Sequence, residues 1–355
     1  VARCCELGAR MARPGEFTLR AYLNGRLDLA QAEAVLDAVR ARTDAGLQIA
    51  VSQLAGSLSA RVRAVRESLL QAQAHVVASI DFPEDEIPAL DLPAALRDVA
   101  AGIDRLLATA DSGIVYRQGV RAAIVGRPNV GKSSLLNALL RTARAIVTSI
   151  PGTTRDTVEE TLNLQGVPVV LVDTAGLDRV PRDQIDELGM ERSRAAVAAA
   201  DMVLTVLDGS EALREADREA LGLAAGRPAI LVINKVDLPA RLDTGELPAS
   251  IPQIHVSAET GDGLPWLENA MLDLILGGKV AAGEGPAVSN PRHKAALERA
   301  RESVGAALAA EAAGLPADCI SIDLAEALDA LGEITGETAG EDLLDRIFAD
   351  FCIGK

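Results

Sequence analysis

The chain has 355 residues, enough for two or three domains, and its 49% hydrophobic content is enough to bury a sizeable core. Its formal charge is -16, from 51 acidic and 35 basic residues. This charge argues against a protein that binds nucleic acid through a surface that is basic overall, but not against a local basic patch. No apolar run approaches the ~20 residues of a membrane span and no signal-peptide pattern is present, so the sequence predicts a soluble, cytoplasmic protein without a membrane partner.

The first 56 residues are predicted to be the end of a larger domain. They include a helical stretch from Ala30 to Val39, but they are too few to hold much of a core alone. Because the sequence begins within a dense, structured pattern, we expect a fragment that lacks its true N-terminus. No Cys-x-x-Cys spacing occurs, so neither a zinc site nor a disulfide framework is indicated for the four cysteines, Cys4, Cys5, Cys319 and Cys352.

Residues 57–118 show the apolar periodicity of helices, interrupted by an acidic, proline-bearing loop at 81–88. From 119 to 278 the pattern changes to short apolar strands that alternate with helices, which predicts a mostly parallel sheet covered on both faces. The candidate strands are 120–125, 168–172, 202–207, 229–233 and 253–256.

A flexible linker is predicted from Gly277 to Pro286, and the chain is helical again after it. Apolar stripes recur there at helical spacing, one at Leu297, Val304 and Leu308 and another at Leu324, Leu328 and Leu331. We therefore expect the two helical regions to pack together, with the strand-containing domain inserted between them.

One stretch, Gly126-Arg-Pro-Asn-Val-Gly-Lys132-Ser133-Ser134, fits the pattern Gly-x4-Gly-Lys-Ser of a phosphate-binding loop. It follows the strand 120–125 and precedes an apolar helix, which is the context that such a loop requires. Its glycines let successive backbone N–H groups point inward. Lys132 is predicted to neutralise charge on the β- and γ-phosphates, and Ser133 to offer its hydroxyl to Mg²⁺.

Four further motifs follow in an informative order. Asp173, in Asp173-Thr-Ala-Gly176, is predicted to hold Mg²⁺ through water, with the Gly176 N–H sensing the γ-phosphate. Thr154, in Thr153-Thr-Arg-Asp156, can complete the Mg²⁺ shell in the triphosphate state only. In Asn234-Lys-Val-Asp237 the carboxylate can accept both N–H donors of a guanine edge, which adenine cannot supply. Ser257-Ala258 would support that base through backbone N–H groups, so the five motifs together predict a guanine-nucleotide site.

Leu177 stands where many small GTPases carry the glutamine that orients the attacking water, and a leucine cannot polarise water. Acidic candidates for that role lie downstream, at Asp178, Asp183, Asp186 and Glu187. No arginine finger is obvious, although Arg155 and Arg179 are nearby. Asn129, inside the phosphate loop, could ligate a monovalent cation that supplies the missing positive charge.

The loop 126–134, Gly152-Thr-Thr-Arg-Asp156, Asp173-Thr-Ala-Gly-Leu177 and the terminal Phe351-Cys-Ile-Gly-Lys355 together resemble the MnmE (TrmE) family of tRNA-modifying GTPases. Ala12-Arg-Pro-Gly-Glu-Phe17 is similar to the end of that family's folate-binding domain, so the resemblance covers the whole chain. It implies a P-loop GTPase domain, with a mostly parallel sheet and helices on both faces, inserted into an all-helical domain. The remnant of an α+β folate-binding domain would precede them. The implied boundaries are 1–56 for the remnant, 57–118 and 279–355 for the helical domain, and 119–278 for the GTPase domain.

The resemblance also implies an activity. The family hydrolyses GTP and modifies C5 of the wobble uridine of certain tRNAs with an aminomethyl-type group (carboxymethylaminomethyl), together with the FAD-binding partner MnmG in a heterotetramer. A tetrahydrofolate derivative, of the 5-formyl or methylene type, supplies the one-carbon unit. The GTPase domains of a homodimer approach each other in the triphosphate state, and K⁺ at the phosphate loop takes the role of an arginine finger.

Several residue roles follow from the resemblance by position. The implied K⁺ ligands are Asn129, Thr148, Ile150 (through its backbone) and Thr153, and the implied Mg²⁺ ligands are Ser133 and Thr154. The other implied nucleotide contacts are Val130, Gly131, Ser134, Ser149, Pro151, Gly152, Thr174, Ala175 and Lys235. Glu16 and Lys355 match positions associated with the folate pocket. Cys352 matches a cysteine often proposed to be catalytic, but a cysteine in an apolar tail is also often only packed, and both interpretations stay open.

Two features depart from the family pattern. Alignment of the segment 188–192 places Asp186 where a glutamate usually orients the attacking water, and the loop 177–187 is about one residue longer. Either the longer loop compensates for the shorter side chain or hydrolysis is slower. Most of the folate domain is also absent, so we expect the folate site to be incomplete.

A regulatory GTPase of the ribosome-assembly type, with no RNA chemistry of its own, is the second hypothesis. It predicts an appended basic RNA-binding module, whereas the C-terminal segment is acidic and helical. Among the remaining residues, we expect His255 and Trp266 in the core. We expect His293, between Arg292 and Lys294, at a solvated helix start that could also touch tRNA.

Overall fold

The computed structural model describes residues 2–82, 90–142, 160–173, 194, 196–277, 288–349 and 351. The chain forms two compact units. One combines residues 1–41, 46–114 and 283–355, and the other combines 42–45 and 115–282. The domain boundaries given above remain predictions, and most of the acidic loop 81–88 and of the linker 277–286 lies outside the described residues.

Thirteen helices and six strands are used below, in this order: α1 (Ala2–Glu6), α2 (Glu16–Leu23), α3 (Leu29–Arg40), α4 (Asp44–Leu54), α5 (Ser57–Asp81), α6 (Leu92–Leu107), α7 (Ala110–Gln118), β1 (Val120–Val125), α8 (Lys132–Thr142), β2 (Glu160–Leu164), β3 (Val167–Asp173), β4 (Met202–Asp208), α9 (Glu215–Ala224), β5 (Ala229–Asn234), β6 (Gln253–His255), α10 (Leu264–Leu276), α11 (Pro291–Ala312), α12 (Ala317–Thr335) and α13 (Glu341–Ala349). Among the described residues, no helix is long and apolar enough to cross a membrane.

The first unit is built on one apolar core shared by α5, α6, α11 and α12. The stripes that predicted these helices line that core, and Leu58, Leu297 and Leu324 are each fully buried. The two helical regions therefore pack together as expected from their periodicity. Local signals start α11: Pro291 occupies its first turn, and the side chain of the preceding Asn290 accepts the backbone N–H of Arg292 at 3.0 Å.

A buried carboxylate corrects one expectation about this unit. Glu33 of α3 is 8% exposed and accepts hydrogen bonds from Asn290, Arg292 and His293, the last at 2.7 Å from Nε2. His293 is only 1% exposed, so the expectation that it lies at a solvated helix start is wrong. A buried carboxylate needs cationic partners, and the start of α11 supplies them.

The second unit holds a six-stranded sheet in the order β2-β3-β1-β4-β5-β6. All neighbours pair in parallel except β2 and β3, which form an antiparallel pair. All five predicted strands are present. The mostly apolar strands β4 and β5 are buried at every position, as expected for parallel strands covered on both faces. The mostly parallel sheet is therefore confirmed, while β2 was not predicted.

Two core predictions in this unit are wrong. His255 ends β6 and is exposed, and Trp266 in the first turn of α10 is 73% exposed. Leu264 and Leu267 instead turn inward from that helix. Trp266 lies two residues after Leu264 and one before Leu267, and residues one or two apart do not share a helix face, so Trp266 faces solvent.

Candidate guanine-nucleotide site

The loop between β1 and α8 has the backbone shape that its sequence predicts. Gly131 has φ 96° and Asn129 has φ 64°, both in the left-handed region. A Cβ on Gly131 would collide with the side-chain amide of Asn234. The glycine is therefore required twice, by its own conformation and by the close approach of β5.

Lys132 begins α8 directly after this loop. Its ammonium donates to the carbonyl oxygens of Gly126 and Arg127, each at 2.9 Å, and so lies across the loop. Ser133 and Ser134 are exposed in the same first turn. The first N–H groups of a helix have no partner inside the helix, and they carry its positive end. A cation, two hydroxyls and a helix N-terminus thus meet where phosphate and Mg²⁺ are expected.

Asn234, at the end of β5, joins three of the predicted motifs. It is 2% exposed, its Nδ2 donates to the carbonyl of Val130 at 2.9 Å, and its Oδ1 accepts the backbone N–H of Ala258 at 3.0 Å. One amide side chain therefore fixes the distance between the phosphate loop and the segment after β6.

Asp237 lies on the exposed side of this junction. Its Oδ1 accepts the hydroxyl of the buried Ser257 at 2.6 Å, and that hydroxyl in turn accepts the backbone N–H of Thr260 at 3.1 Å. The hydroxyl orients the carboxylate, which is a role that the sequence did not indicate. The backbone N–H groups of Ser257 and Ala258 donate to Asp262 and Asn234, so their contact with a base stays a prediction.

Sequence reasoning missed a set of charges behind the loop. Asp208, which ends β4, accepts Lys235 Nζ at 2.6 Å, and Arg127 pairs with Glu211 and Asp217. The sequence did contain a signal for Asp208. Binding residues gather at the carboxyl ends of parallel strands, and Asp208 ends β4, the strand between β1 and β5.

Several predicted residues lie outside the described part of the chain: Thr148, Ser149, Ile150, Pro151, Gly152, Thr153, Thr154, Thr174, Ala175, Gly176, Asp186, Cys352 and Lys355. Asp173 ends β3, and its backbone pairs with Ile124 of β1, so it stands at the same sheet edge as the phosphate loop. No group of three or more His, Cys, Asp or Glu that could hold a metal occurs among the residues described.

The predicted folate residue Glu16 begins α2 in the other unit. Hydrogen bonds from the Arg10 side chain and from the Arg13 N–H lower the pKa of Glu16 from 4.5 to about 2. Phe351, which directly precedes Cys352, is 5% exposed and packs near Gly15. Glu16 and the start of the terminal motif therefore lie in one neighbourhood.

A parallel sheet with a Gly-x4-Gly-Lys-Ser loop between its first strand and the following helix defines a P-loop nucleotide-binding protein. A family model described as the MnmE helical domain matches residues 29–352. Proteins named tRNA modification GTPase MnmE are 52% identical in Chloroflexus aurantiacus, 51% in Moorella thermoacetica and 47% in Geobacillus kaustophilus; each alignment covers 98% of this chain and 77% of the relative. The chain belongs to the MnmE family.

Among solved structures, the G domain of the T. maritima FeoB iron transporter is 29% identical over 44% of this chain and 98% of that chain, with a TM-score of 0.32. The family assignment depends on the relatives and on the family model.

Proposed function

We propose that this chain is a GTP-hydrolysing enzyme of tRNA modification that acts on the wobble uridine. The observation that carries the proposal is the junction at Asn234, which ties the phosphate loop to the segment after β6 that holds Ser257 and Ala258. Family membership adds the tRNA, since the relatives are named tRNA modification GTPases. The donor set suits GTP, because Asp237 is oriented as an acceptor and Lys132 stands at the helix N-terminus.

Mg²⁺ fits the same site. The exposed hydroxyl of Ser133 in the first turn of α8 supplies one oxygen ligand, and hard cations prefer oxygen. Thr154 and Asp173 complete the proposed set, with Asp173 acting through water. When bound, the ion neutralises charge on the phosphate oxygens.

We assign a K⁺ site to Asn129, Thr148, Ile150 and Thr153. The support comes from Asn129, which is exposed and held in a left-handed conformation with its carbonyl oxygen accepting Lys235 Nζ at 2.9 Å. The cation takes the place of an arginine finger in a homodimer whose GTPase domains meet. We expect GTP turnover to rise when K⁺ replaces Na⁺ and to lose that response in Asn129→Ala.

Asp186 is the proposed residue that orients the attacking water. We expect Asp186→Asn to lower kcat by about 100-fold, the contribution of a positioned general base, with nucleotide affinity nearly unchanged. Steady-state GTP hydrolysis and a fluorescent-nucleotide titration measure the two quantities. Equal kcat in variant and wild type would remove Asp186 from the mechanism.

The tRNA chemistry uses an FAD-binding MnmG-type partner in a heterotetramer and a tetrahydrofolate derivative near Glu16 and Lys355. The burial of Phe351 beside Gly15 supports this placement, since it brings the terminal motif to the start of α2. We assign residues 1–56 to the remnant of the folate-binding domain. Cys352 follows Phe351 directly and is the candidate nucleophile of this site.

Nucleoside mass spectrometry on bulk tRNA tests the proposal. Cells lacking the gene receive the full-length gene or its Cys352→Ser form. We expect a C5-aminomethyl-type wobble uridine to disappear in the deletion strain and to return with the wild type. If the modified uridine returns with both forms, the modification activity is supported and Cys352 is not required for it. An unchanged uridine profile, in cells without a second gene copy, would contradict the modification and favour a regulatory switch.

A further inference from the structure

A partly buried group of charges lies behind the phosphate loop, and of its members only Lys235 also belongs to the site proposed above. This anchor cluster consists of three carboxylates, Asp208, Glu211 and Asp217, and two cations, Arg127 and Lys235. The side chains of Asp208 and Asp217 are 3% and 4% exposed. Three carboxylates and two cations leave one net negative charge behind a loop that binds phosphates, and this charge disfavours phosphate binding. We therefore expect the carboxylates to have a structural role that offsets the unfavourable charge.

Arg127 anchors the start of the loop. Its side chain is 9% exposed, with NH2 at 2.6 Å from Glu211 and Nε at 3.1 Å from Asp217. Asp217 is itself fixed, because it accepts the backbone N–H of Arg214 at 3.0 Å in the first turn of α9. The guanidinium is thereby committed to carboxylates of its own domain, and it is a poor candidate for a phosphate contact.

Asp208 fixes the middle of the loop through Lys235. Its Oδ2 accepts Lys235 Nζ at 2.6 Å, and the same ammonium donates to the carbonyl of Asn129 at 2.9 Å. Its Oδ1 accepts the backbone N–H and the hydroxyl of Ser210 at 2.9 and 2.6 Å. Burial alone would raise the pKa of Asp208, but the hydrogen bonds from Lys235 and Ser210 outweigh it and the pKa is lowered. The carboxylate therefore stays ionised.

Lys235 contacts the loop at Asn129, whose backbone conformation requires stabilisation. Asn129 has φ 64°, a conformation that residues other than glycine adopt only where the surroundings stabilise it. The ammonium that holds its carbonyl is oriented by Asp208. Asp208 therefore reaches the loop backbone through Lys235 at 2.6 Å, with a longer contact of 3.9 Å to Arg127.

We propose that Asp208 is a positioning residue for phosphate binding, which acts through Lys235 on the backbone of Asn129 and contacts neither base nor phosphate. Arg127 and Asp217 anchor the start of the loop in the same way. The inference rests on the proposed guanine-nucleotide site and adds to it the group that sets the shape of the loop.

The test compares two nucleotides on Asp208→Asn, which keeps the side-chain shape and removes the charge. GDP carries the β-phosphate that the loop contacts, whereas GMP lacks it. We expect the Kd for GDP to rise about tenfold, the loss typical of a charged hydrogen-bond partner, and the Kd for GMP to change by less than about threefold. Displacement of a fluorescent GDP analogue measures both constants.

Two further variants serve as controls. Asp208→Glu keeps the charge and should recover most of the GDP affinity. Glu219→Gln removes a charge from an exposed position of α9 and should bind GDP as the wild type does. Equal losses for GDP and GMP would overturn the proposal by placing the role of Asp208 at the base, and unchanged GDP affinity would overturn it outright.

Two other outcomes can be distinguished from failure of the proposal: a wild type that does not bind GDP, and a variant that does not fold. If the wild type itself does not bind GDP, the nucleotide site fails rather than its positioning residue. If Asp208→Asn does not fold, as judged by circular dichroism, Arg127→Gln tests the cluster from the loop side. The same GDP-selective loss supports the proposal, and wild-type affinity overturns it.

Discussion

The buried Glu33 shows how much of a single residue's role lies outside its local sequence. Residues 291–294, Pro-Arg-His-Lys, have the composition of a solvated helix start, and nothing nearby in the sequence indicates a buried acidic partner for Arg292 and His293. The partner comes from α3, and its carboxylate accepts Arg292 NH2 at 2.6 Å and His293 at 2.7 Å. A partner so far away in sequence can be found only once α3 and α11 are packed together.

This carboxylate predicts a pH dependence of stability. Burial raises the pKa of Glu33, but His293 and Arg292 outweigh it and lower the value from 4.5 to about 2. The stabilisation is fully present above the unfolded pKa near 4.5 and is lost as pH falls through about 2. At neutral pH we expect Glu33→Gln to lower the free energy of unfolding by about 3 kcal/mol.

Urea unfolding across this range measures the effect. The wild type should lose more stability between pH 4.5 and about pH 2 than Glu33→Gln does, since the variant lacks the titrating group. Glu67→Gln, at an exposed position of α5, is the matched control and should behave as the wild type. Parallel pH profiles for wild type and Glu33→Gln would contradict the assignment.

At the candidate nucleotide site, sequence motifs predicted residues that the structure brings together at strand ends. Lys132, Asn234, Asp237 and Ser257 come together because β1, β5 and the segment after β6 end at one sheet edge. Asp208 was not predicted because its strand ends in no recognised motif. The hydroxyl of Ser257 orients Asp237 through a 2.6 Å hydrogen bond, which sequence spacing alone cannot predict.

Among the elements, buried strands were predictable and the edge strand was not. β4 and β5 are nearly continuous apolar runs, which mark strands covered on both faces. β2, with the sequence Glu-Thr-Leu-Asn-Leu, buries only alternate residues at its end, and it lies at the edge of the sheet. Its identity comes from pairing with β3, which is a tertiary property.

The contact between the start of α2 and the terminal segment predicts the effect of a substitution at Gly15. Gly15 has φ 66°, and a Cβ there would lie 3.0 Å from the carbonyl oxygen of Phe348 and 3.1 Å from Cβ of Phe351. We expect Gly15→Ala to cost about 1–3 kcal/mol through backbone strain and contact with the terminal segment.

Thermal unfolding and limited proteolysis of the terminal segment check this expectation. Gly8→Ala is the matched control, because Gly8 also has positive φ but a Cβ there meets nothing within 4 Å. Gly15→Ala should expose the segment after residue 348 to protease, and Gly8→Ala should not. Equal cleavage in the two variants would separate Gly15 from the packing of the terminal segment.

At the scale of the molecule, the division into two compact units predicts two unfolding events. A ligand that binds only the folded state stabilises by about 2.7 kcal/mol at 100 times its Kd. GDP should therefore raise the transition of the unit that contains residues 115–282 and leave the other unchanged.

Scanning calorimetry with and without GDP checks this. Leu324→Ala assigns the second transition, because Leu324 is fully buried in the core of the other unit and its truncation should cost about 2–5 kcal/mol. A single transition that GDP shifts as a whole would contradict the independence of the two units.

We propose that the phosphate loop, Asn234 to Asp237 and Ser257 form one guanine-nucleotide site. The most direct measurement is the affinity of wild type and Asp237→Asn for GDP, ADP and xanthosine diphosphate. We expect the wild type to prefer GDP over ADP by about 10⁴ or more, because adenine leaves the Asp237 carboxylate, which the Ser257 hydroxyl orients, without the two N–H donors that guanine supplies. The variant should lose GDP affinity by at least about 100-fold and bind xanthosine diphosphate better, since its new N–H donor meets the carbonyl of xanthine. Wild-type GDP affinity in the variant, or equal affinities for GDP and ADP in the wild type, would contradict this assignment.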